Sequence, residues 1–141
     1  MEVFVQHLGA MQFDITARQH SVVCDQPVND GGFDEGMTPP EFLLAALGSC
    51  AAFYAAQYLR KKGLAKEGTK VRVTAAKLLN PPRLDNFVIE IDAPLALSAE
   101  HKAGVDEAVK HCLIHNTLLN PPKITVDIRN GSPAGHIPIA A

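Results

Sequence analysis

The chain has 141 residues, of which 47% are hydrophobic and 20% are charged. This composition excludes a disordered or fibrous protein and predicts one globular domain over residues 1–141. The formal net charge is −2, and the longest basic run is only Arg60–Lys62, so no binding to nucleic acid is expected. Three cysteines and no signal-peptide pattern at the start of the chain indicate a reducing, cytoplasmic location.

The first third of the chain is predicted to form strands. Apolar residues alternate around Val5 and around Ile15, and residues 21–24 give a third short stretch, which together predict an antiparallel meander. Residues 29–36 are mostly turn formers and are expected to lie at the surface or over a site. Phe33 is the apolar exception in this loop.

A long helix follows this loop. Thr38 and Glu41 match a T-x-x-E capping box, and Gly63 is suited to end the helix after about Lys62. Its most apolar stretch, residues 42–58, is shorter and more interrupted than the about 20 apolar residues of a bilayer span, so we predict a buried core helix and no membrane association. Because the helix is apolar on every side, a second subunit is expected to cover it.

The second half of the chain alternates between strands and a helix. Residues 69–79 and 87–91 predict a hairpin, Ser98 begins a second helix that buries Cys112, and residues 123–128 predict a last strand. The order of elements therefore predicts an α+β fold.

Cys50 and Cys112 are placed on the buried faces of the two predicted helices. Buried cysteines are often simple packing residues, and Cys24 is interpreted in that way. A reactive cysteine must be a thiolate, yet a free thiol with a pKa of about 8.5 is only about 3% ionised at pH 7. A nearby cation would stabilise the thiolate, and Arg18 is the best candidate, although it could also be a surface charge at a strand end.

Cys112 and the two nearby histidines are also candidate metal ligands. His111, Cys112 and His115 form H-C-x-x-H, which is half of a zinc site, and no second pair with ligand spacing accompanies it. No metal site is therefore predicted.

Two segments resemble a known family. GMTPPEFLLAALGSC (residues 36–50) resembles the G-x-x-P-x-E-L-L-L-A-A-L-G-S-C segment of the OsmC/Ohr superfamily, and VKHCLIHNTL (residues 109–118) resembles its second cysteine region. The order of elements fits the family over nearly the whole chain. The resemblance implies the OsmC-like fold, in which antiparallel sheets wrap around long central helices in an intertwined homodimer with two active sites at the subunit interface.

The resemblance also implies an enzyme, a thiol-dependent peroxidase that reduces organic hydroperoxides to alcohols. Cys50 would be the peroxidatic cysteine, Cys112 the resolving cysteine and Arg18 the activating arginine. A small dithiol or lipoyl group would be the reductant, and no cofactor is required. In the organic hydroperoxide resistance branch of the family, the glutamate lies one place earlier relative to the cysteine, where this chain has Pro40, so Glu41 is either its substitute or only the capping residue.

An apolar wall of Phe33, Leu47 and Phe53 would bind the alkyl part of the substrate, although these side chains could equally be core. The alternative is a non-catalytic OsmC-like dimer that binds a small apolar ligand and uses its cysteines only for packing.

Overall fold

A computed structural model describes residues 1–130, and it begins with a small antiparallel sheet. Strands β1 (Phe4–Gly9), β2 (Gln12–Ala17) and β3 (His20–Cys24) pair in the order β1-β2-β3. Phe13 lies opposite Cys24, which fixes the register of β2 against β3. The predicted meander is therefore confirmed.

The long helix α1 (Pro39–Lys61) begins and ends close to the predicted positions. The Glu41 carboxylate accepts hydrogen bonds from the backbone N–H of Thr38 (2.7 Å) and from its hydroxyl (2.8 Å), which stabilises the first turn. Gly63 follows the helix with a φ of 70°, a left-handed conformation that glycine adopts without steric cost. Four residues spaced four apart form the buried stripe of α1: Leu47, Ala51, Ala55 and Leu59.

The remaining elements cover that stripe. Strands β4 (Lys70–Leu79) and β5 (Pro82–Asp92) form an antiparallel hairpin, followed by helices α2 (Ala99–Val109) and α3 (Leu113–Leu119). Val105 and Val109 of α2 form one core cluster with the alanines and Leu59 of α1. The α+β architecture is as predicted.

Two predicted elements differ in the structure. The prediction of a last strand at residues 123–128 is wrong: residues 121–130 have no regular structure and are exposed. A strand needs a neighbour to satisfy its backbone groups, and none of the described strands lies beside this segment. Cys112 is not within the second helix, because α2 ends at Val109 and Cys112 instead precedes α3. The glycines and prolines from Gly131 onward predict a tail without regular structure, and this segment lies outside the described residues.

Much apolar surface is uncovered in the single chain. The sheet β1–β3 makes no extensive contact with α1 or with the β4–β5 hairpin. Helix α1 is long and apolar enough to cross a membrane by length and composition alone, and only 22% of its most apolar window is buried. Its core stripe packs against α2, β4 and β5, so the exposed surface lies on its other faces.

Close packing between α1 and α2 yields a first stability prediction. A Cβ at Gly104 would overlap the ring of Tyr58, whose hydroxyl is hydrogen-bonded to His101 Nδ1 at 3.1 Å. We expect Gly104→Val to lower the free energy of unfolding by about 1–3 kcal/mol because the α1–α2 contact must open. Ala103→Val, at an exposed position on the same helix, is the control. Equal urea midpoints for the two variants would contradict the prediction.

Candidate functional site

The structure brings Cys50 and Cys112 together. Cys50 lies half-buried on α1, and Cys112 is fully buried immediately before α3 (0% exposed). The Cys50 thiol lies near enough to Cys112 to raise the pKa of the Cys112 thiol, and both thiols are free. Two adjacent, unbonded thiols of unequal accessibility are an arrangement that can cycle between dithiol and disulfide.

The surroundings of Cys112 favour its neutral thiol. Burial raises its pKa, and the neighbouring Cys50 raises it further. The backbone N–H groups of His115 and Ile114 act in the opposite direction, and the His115 N–H donates to Cys112 Sγ at 3.3 Å. The net pKa lies above the ordinary value, so Cys112 is protonated at neutral pH and is a poor nucleophile in that form.

Two of the predicted substrate-binding residues flank Cys50 on α1. Leu47 and Phe53 lie three residues before and after it, which places all three on neighbouring parts of the helix surface. Leu47 is 2% exposed and belongs to the core, whereas Phe53 is 59% exposed. The Phe53 ring packs edge-on against Tyr54 with centroids 5.1 Å apart. Phe53 is therefore the member of this pair whose ring a ligand can reach.

Arg18 belongs to the sheet β1–β3, which makes no extensive contact with α1. It occupies the turn between β2 and β3, with a φ of 58° and an exposed side chain. Among the contacts within residues 1–130, none joins Arg18 to Cys50 or Cys112. A single chain therefore does not assemble the predicted cation and thiol.

Glu41 is the exposed cap of α1. Hydrogen bonds from the Thr38 backbone and then from its hydroxyl hold the pKa of the Glu41 carboxyl below its ordinary value. The structure thus assigns Glu41 the capping function, and a catalytic function stays a prediction. Phe33 lies on the loop before α1 and is 56% exposed.

Two buried polar groups were not predicted from the sequence. Asp25 is fully buried and organises the loop that contains Phe33. His115, in the first turn of α3, has a buried Nδ1 without a hydrogen-bond partner. Neither feature has a sequence signal, because an aspartate among turn formers and a histidine near a helix start are usually exposed. Within residues 1–130, no group of three or more His, Cys, Asp or Glu side chains could hold a metal ion.

Comparison with known proteins gives the following relationships. A family model described as OsmC-like protein matches residues 32–127. None of the curated proteins matches the chain significantly.

Among solved structures, an osmotic stress induced and detoxification response protein of Psychrobacter arcticus is similar with a TM-score of 0.74 and 20% identity, covering 82% of this chain and 85% of that one. An OsmC like protein of Mycoplasma pneumoniae has a TM-score of 0.69 and 23% identity, with 85% and 87% covered. An organic hydroperoxide resistance protein of Legionella pneumophila, also described as a redox protein, has a TM-score of 0.54 and 14% identity, with 84% and 89% covered. At these identities the similarity establishes a shared fold.

Proposed function

Because the chain belongs to the OsmC-like protein family, we propose that it is a thiol-dependent peroxidase that reduces organic hydroperoxides to alcohols. The family and the descriptions of two structural neighbours support a general redox or stress function. The observation that supports the specific chemistry is the direct neighbourhood of the half-buried Cys50 and the buried Cys112.

The first step is attack of the Cys50 thiolate on the outer oxygen of the hydroperoxide. An S–O bond forms, the O–O bond breaks, and the alkoxide leaves and takes a proton to become the alcohol. Cys50 is then a sulfenic acid. Cys50 is suited to this step because its side chain is the more accessible of the two neighbouring thiols.

The second step forms a disulfide. The sulfur of Cys112 attacks the sulfur of the Cys50 sulfenic acid, and hydroxide leaves with the proton of the Cys112 thiol as water. The buried, protonated Cys112 does not compete for peroxide in the first step, because the thiolate is the nucleophile. An external small dithiol or lipoyl group then reduces the disulfide and returns both thiols.

The proposed working unit is an intertwined homodimer. In one chain, the sheet β1–β3 lies apart from α1, most of α1 is uncovered, and residues 121–130 lack a partner strand. A second copy would cover these surfaces and would bring an Arg18 from its own β2–β3 turn to Cys50. This arrangement accounts for the lack of a contact, among residues 1–130, between Arg18 and the cysteines of its own chain.

The assembly is tested by sedimentation. We expect the protein to sediment as a dimer at micromolar concentration and to lose folded structure when it dissociates, because the uncovered apolar surface is too large for a stable monomer. A folded monomer at this concentration would contradict the proposed dimer.

Titration of free thiols tests the proposed reaction. Addition of cumene hydroperoxide in slight excess should remove two of the three free thiols per chain within the time of mixing and reading. Dithiothreitol should restore them. If all three thiols persist in the folded protein, the peroxidase proposal fails, and the alternative, a non-catalytic dimer that binds an apolar ligand, replaces it.

A further inference from the structure

Asp25 is a buried charge that the proposed thiol chemistry does not use. Among residues 1–130 it is the charged residue with no exposed surface (0%). It follows β3 directly and begins the loop that leads to α1. A buried carboxylate is costly unless hydrogen bonds compensate for the lost water, so its partners indicate what it stabilises.

The partners of Asp25 lie along this loop. Oδ1 accepts a hydrogen bond from the backbone N–H of Gln26 (2.8 Å), and Oδ2 accepts from those of Phe33 (3.0 Å) and Glu35 (3.2 Å). The side-chain amide of Gln12 on β2 also donates to Oδ2 (3.3 Å). Burial alone raises the pKa of this carboxyl, but the donors outweigh burial, and the pKa lies below its ordinary value. Asp25 is therefore ionised at neutral pH.

The loop is also closed at its two ends. The Asp25 N–H donates to the carbonyl of Met37 (3.3 Å), and Cys24 forms an isolated bridge with Met37. Gly32 lies so close to the Gln26 carbonyl that a Cβ would overlap it. The backbone of the loop is thus fixed around one carboxylate, and the Phe33 ring projects from it with 56% of its surface exposed.

We propose that Asp25 is a positioning residue: by fixing the loop, it holds in place the exposed ring of Phe33, one of the residues predicted to bind the alkyl part of the hydroperoxide. An exposed aromatic ring on a fixed backbone loses little conformational entropy when a ligand packs against it, so anchoring the loop strengthens binding. The inference rests on the proposed peroxidase function. It adds that apolar substrates are selected through a carboxylate that never contacts them.

The first test compares Asp25→Asn with Asp30→Asn, the same change at an exposed acid of the same loop. Asparagine keeps the shape but replaces one acceptor oxygen with a donor that faces backbone N–H groups. For Asp25→Asn we expect KM for cumene hydroperoxide to rise about tenfold, the size of one lost apolar contact, with kcat retained. The rate with hydrogen peroxide, which has no alkyl group, should not change. An equal loss of kcat/KM with both peroxides, or no loss of kcat/KM with either, would overturn the proposal.

A double-mutant cycle asks whether Asp25 acts through Phe33. Phe33→Ala should raise the same KM, and adding Asp25→Asn to it should cause no further rise, because the ring that the carboxylate positions is already gone. Additive effects would show that Asp25 acts in another way and would overturn the proposal.

The rate of Cys50 alkylation, measured without peroxide, tests the positioning function of Asp25 separately from the peroxidase function. N-hexylmaleimide should alkylate Cys50 faster than N-methylmaleimide in the wild type, and Asp25→Asn should reduce that ratio while Asp30→Asn preserves it. If the wild-type thiols resist hydroperoxides but the maleimide ratio falls as expected, only the peroxidase function fails. If thiols are oxidised normally but the ratio is unaffected by Asp25→Asn, the positioning role fails alone.

Discussion

Cys50→Ser should abolish hydroperoxide consumption. A serine hydroxyl is not ionised near neutral pH and cannot accept the peroxide oxygen as a thiolate does, so the loss should be complete within detection. Peroxide remaining after incubation with cumene hydroperoxide measures the effect. Cys24→Ser is the matched control: Cys24 is buried on β3, and burial followed by the charge of Asp25 raises its thiol pKa, so it should have no part in turnover. Equal activity of Cys50→Ser and the wild type would contradict the assignment.

Cys112→Ser should separate the two steps. We expect it to consume one equivalent of hydroperoxide in forming the Cys50 sulfenic acid, plus a second where that acid advances to sulfinic acid, and then to stop, because the first step needs only Cys50. Without the resolving thiol, Cys50 should persist as a sulfenic acid or advance to sulfinic acid, which mass spectrometry of the intact protein detects as added oxygen. Continued turnover would show that another thiol resolves the sulfenic acid.

The pairing itself can be identified in the wild type. Peroxide-treated, alkylated and digested protein should contain a Cys50–Cys112 disulfide with Cys24 alkylated. Such a bond needs Cα atoms within about 7 Å, so its detection also tests whether the two cysteines share one site. Because the pKa of Cys112 is raised, disulfide formation should become faster as the pH rises beyond the ordinary thiol range. A Cys24–Cys50 bridge would remove the resolving function from Cys112.

Helix ends that depend on nearby residues could be predicted from the sequence. The capping box at Thr38 and Glu41, the glycine after α1 and the N-cap at Ser98 are short-range interactions, and the structure contains each helix start where these residues predict it. The family motif around Cys50 likewise predicted the fold. Cys112 was predicted on the buried face of the second helix; it is buried, but it lies between α2 and α3 rather than on a helix.

Features that depend on distant partners could not be predicted in this way. The residue pattern at 123–128 indicates a preference for extended backbone, but a strand forms only where a neighbouring strand is available. The function of Asp25 depends on backbone N–H groups eight and ten residues further along the chain, whose positions no residue pattern encodes. Arg18 is similar, because the contact with Cys50 that we propose for it would come from a second chain.

Arg18→Ala should slow the oxidation of Cys50 by cumene hydroperoxide about ten- to a hundredfold at neutral pH, the range expected when a hydrogen bond to a charged group is lost. Raising the pH should restore part of the rate, because the thiolate then forms unaided. Arg18→Lys should recover only part of it, since an ammonium keeps the charge without the planar fork of donors. Stopped-flow measurement of the first turnover isolates this step, and Arg60→Ala, at an exposed arginine in the last turn of α1, is the control.

Mixing an inactive and a slowed variant should show which chain supplies the arginine. When Arg18→Ala and Cys50→Ser chains are unfolded together and refolded, half of the dimers should combine one copy of each. In such a dimer, the intact Cys50 of one copy faces the intact Arg18 of the other, so the mixture should recover about a quarter of the wild-type sites, as expected for a symmetric dimer. If the mixture shows only the residual activity of its Arg18→Ala chains, Arg18 either acts on its own chain or is a surface charge. In that case, slow oxidation of Cys50 in Arg18→Ala would indicate that Arg18 acts on its own chain. Oxidation at the wild-type rate would indicate that Arg18 is a surface charge.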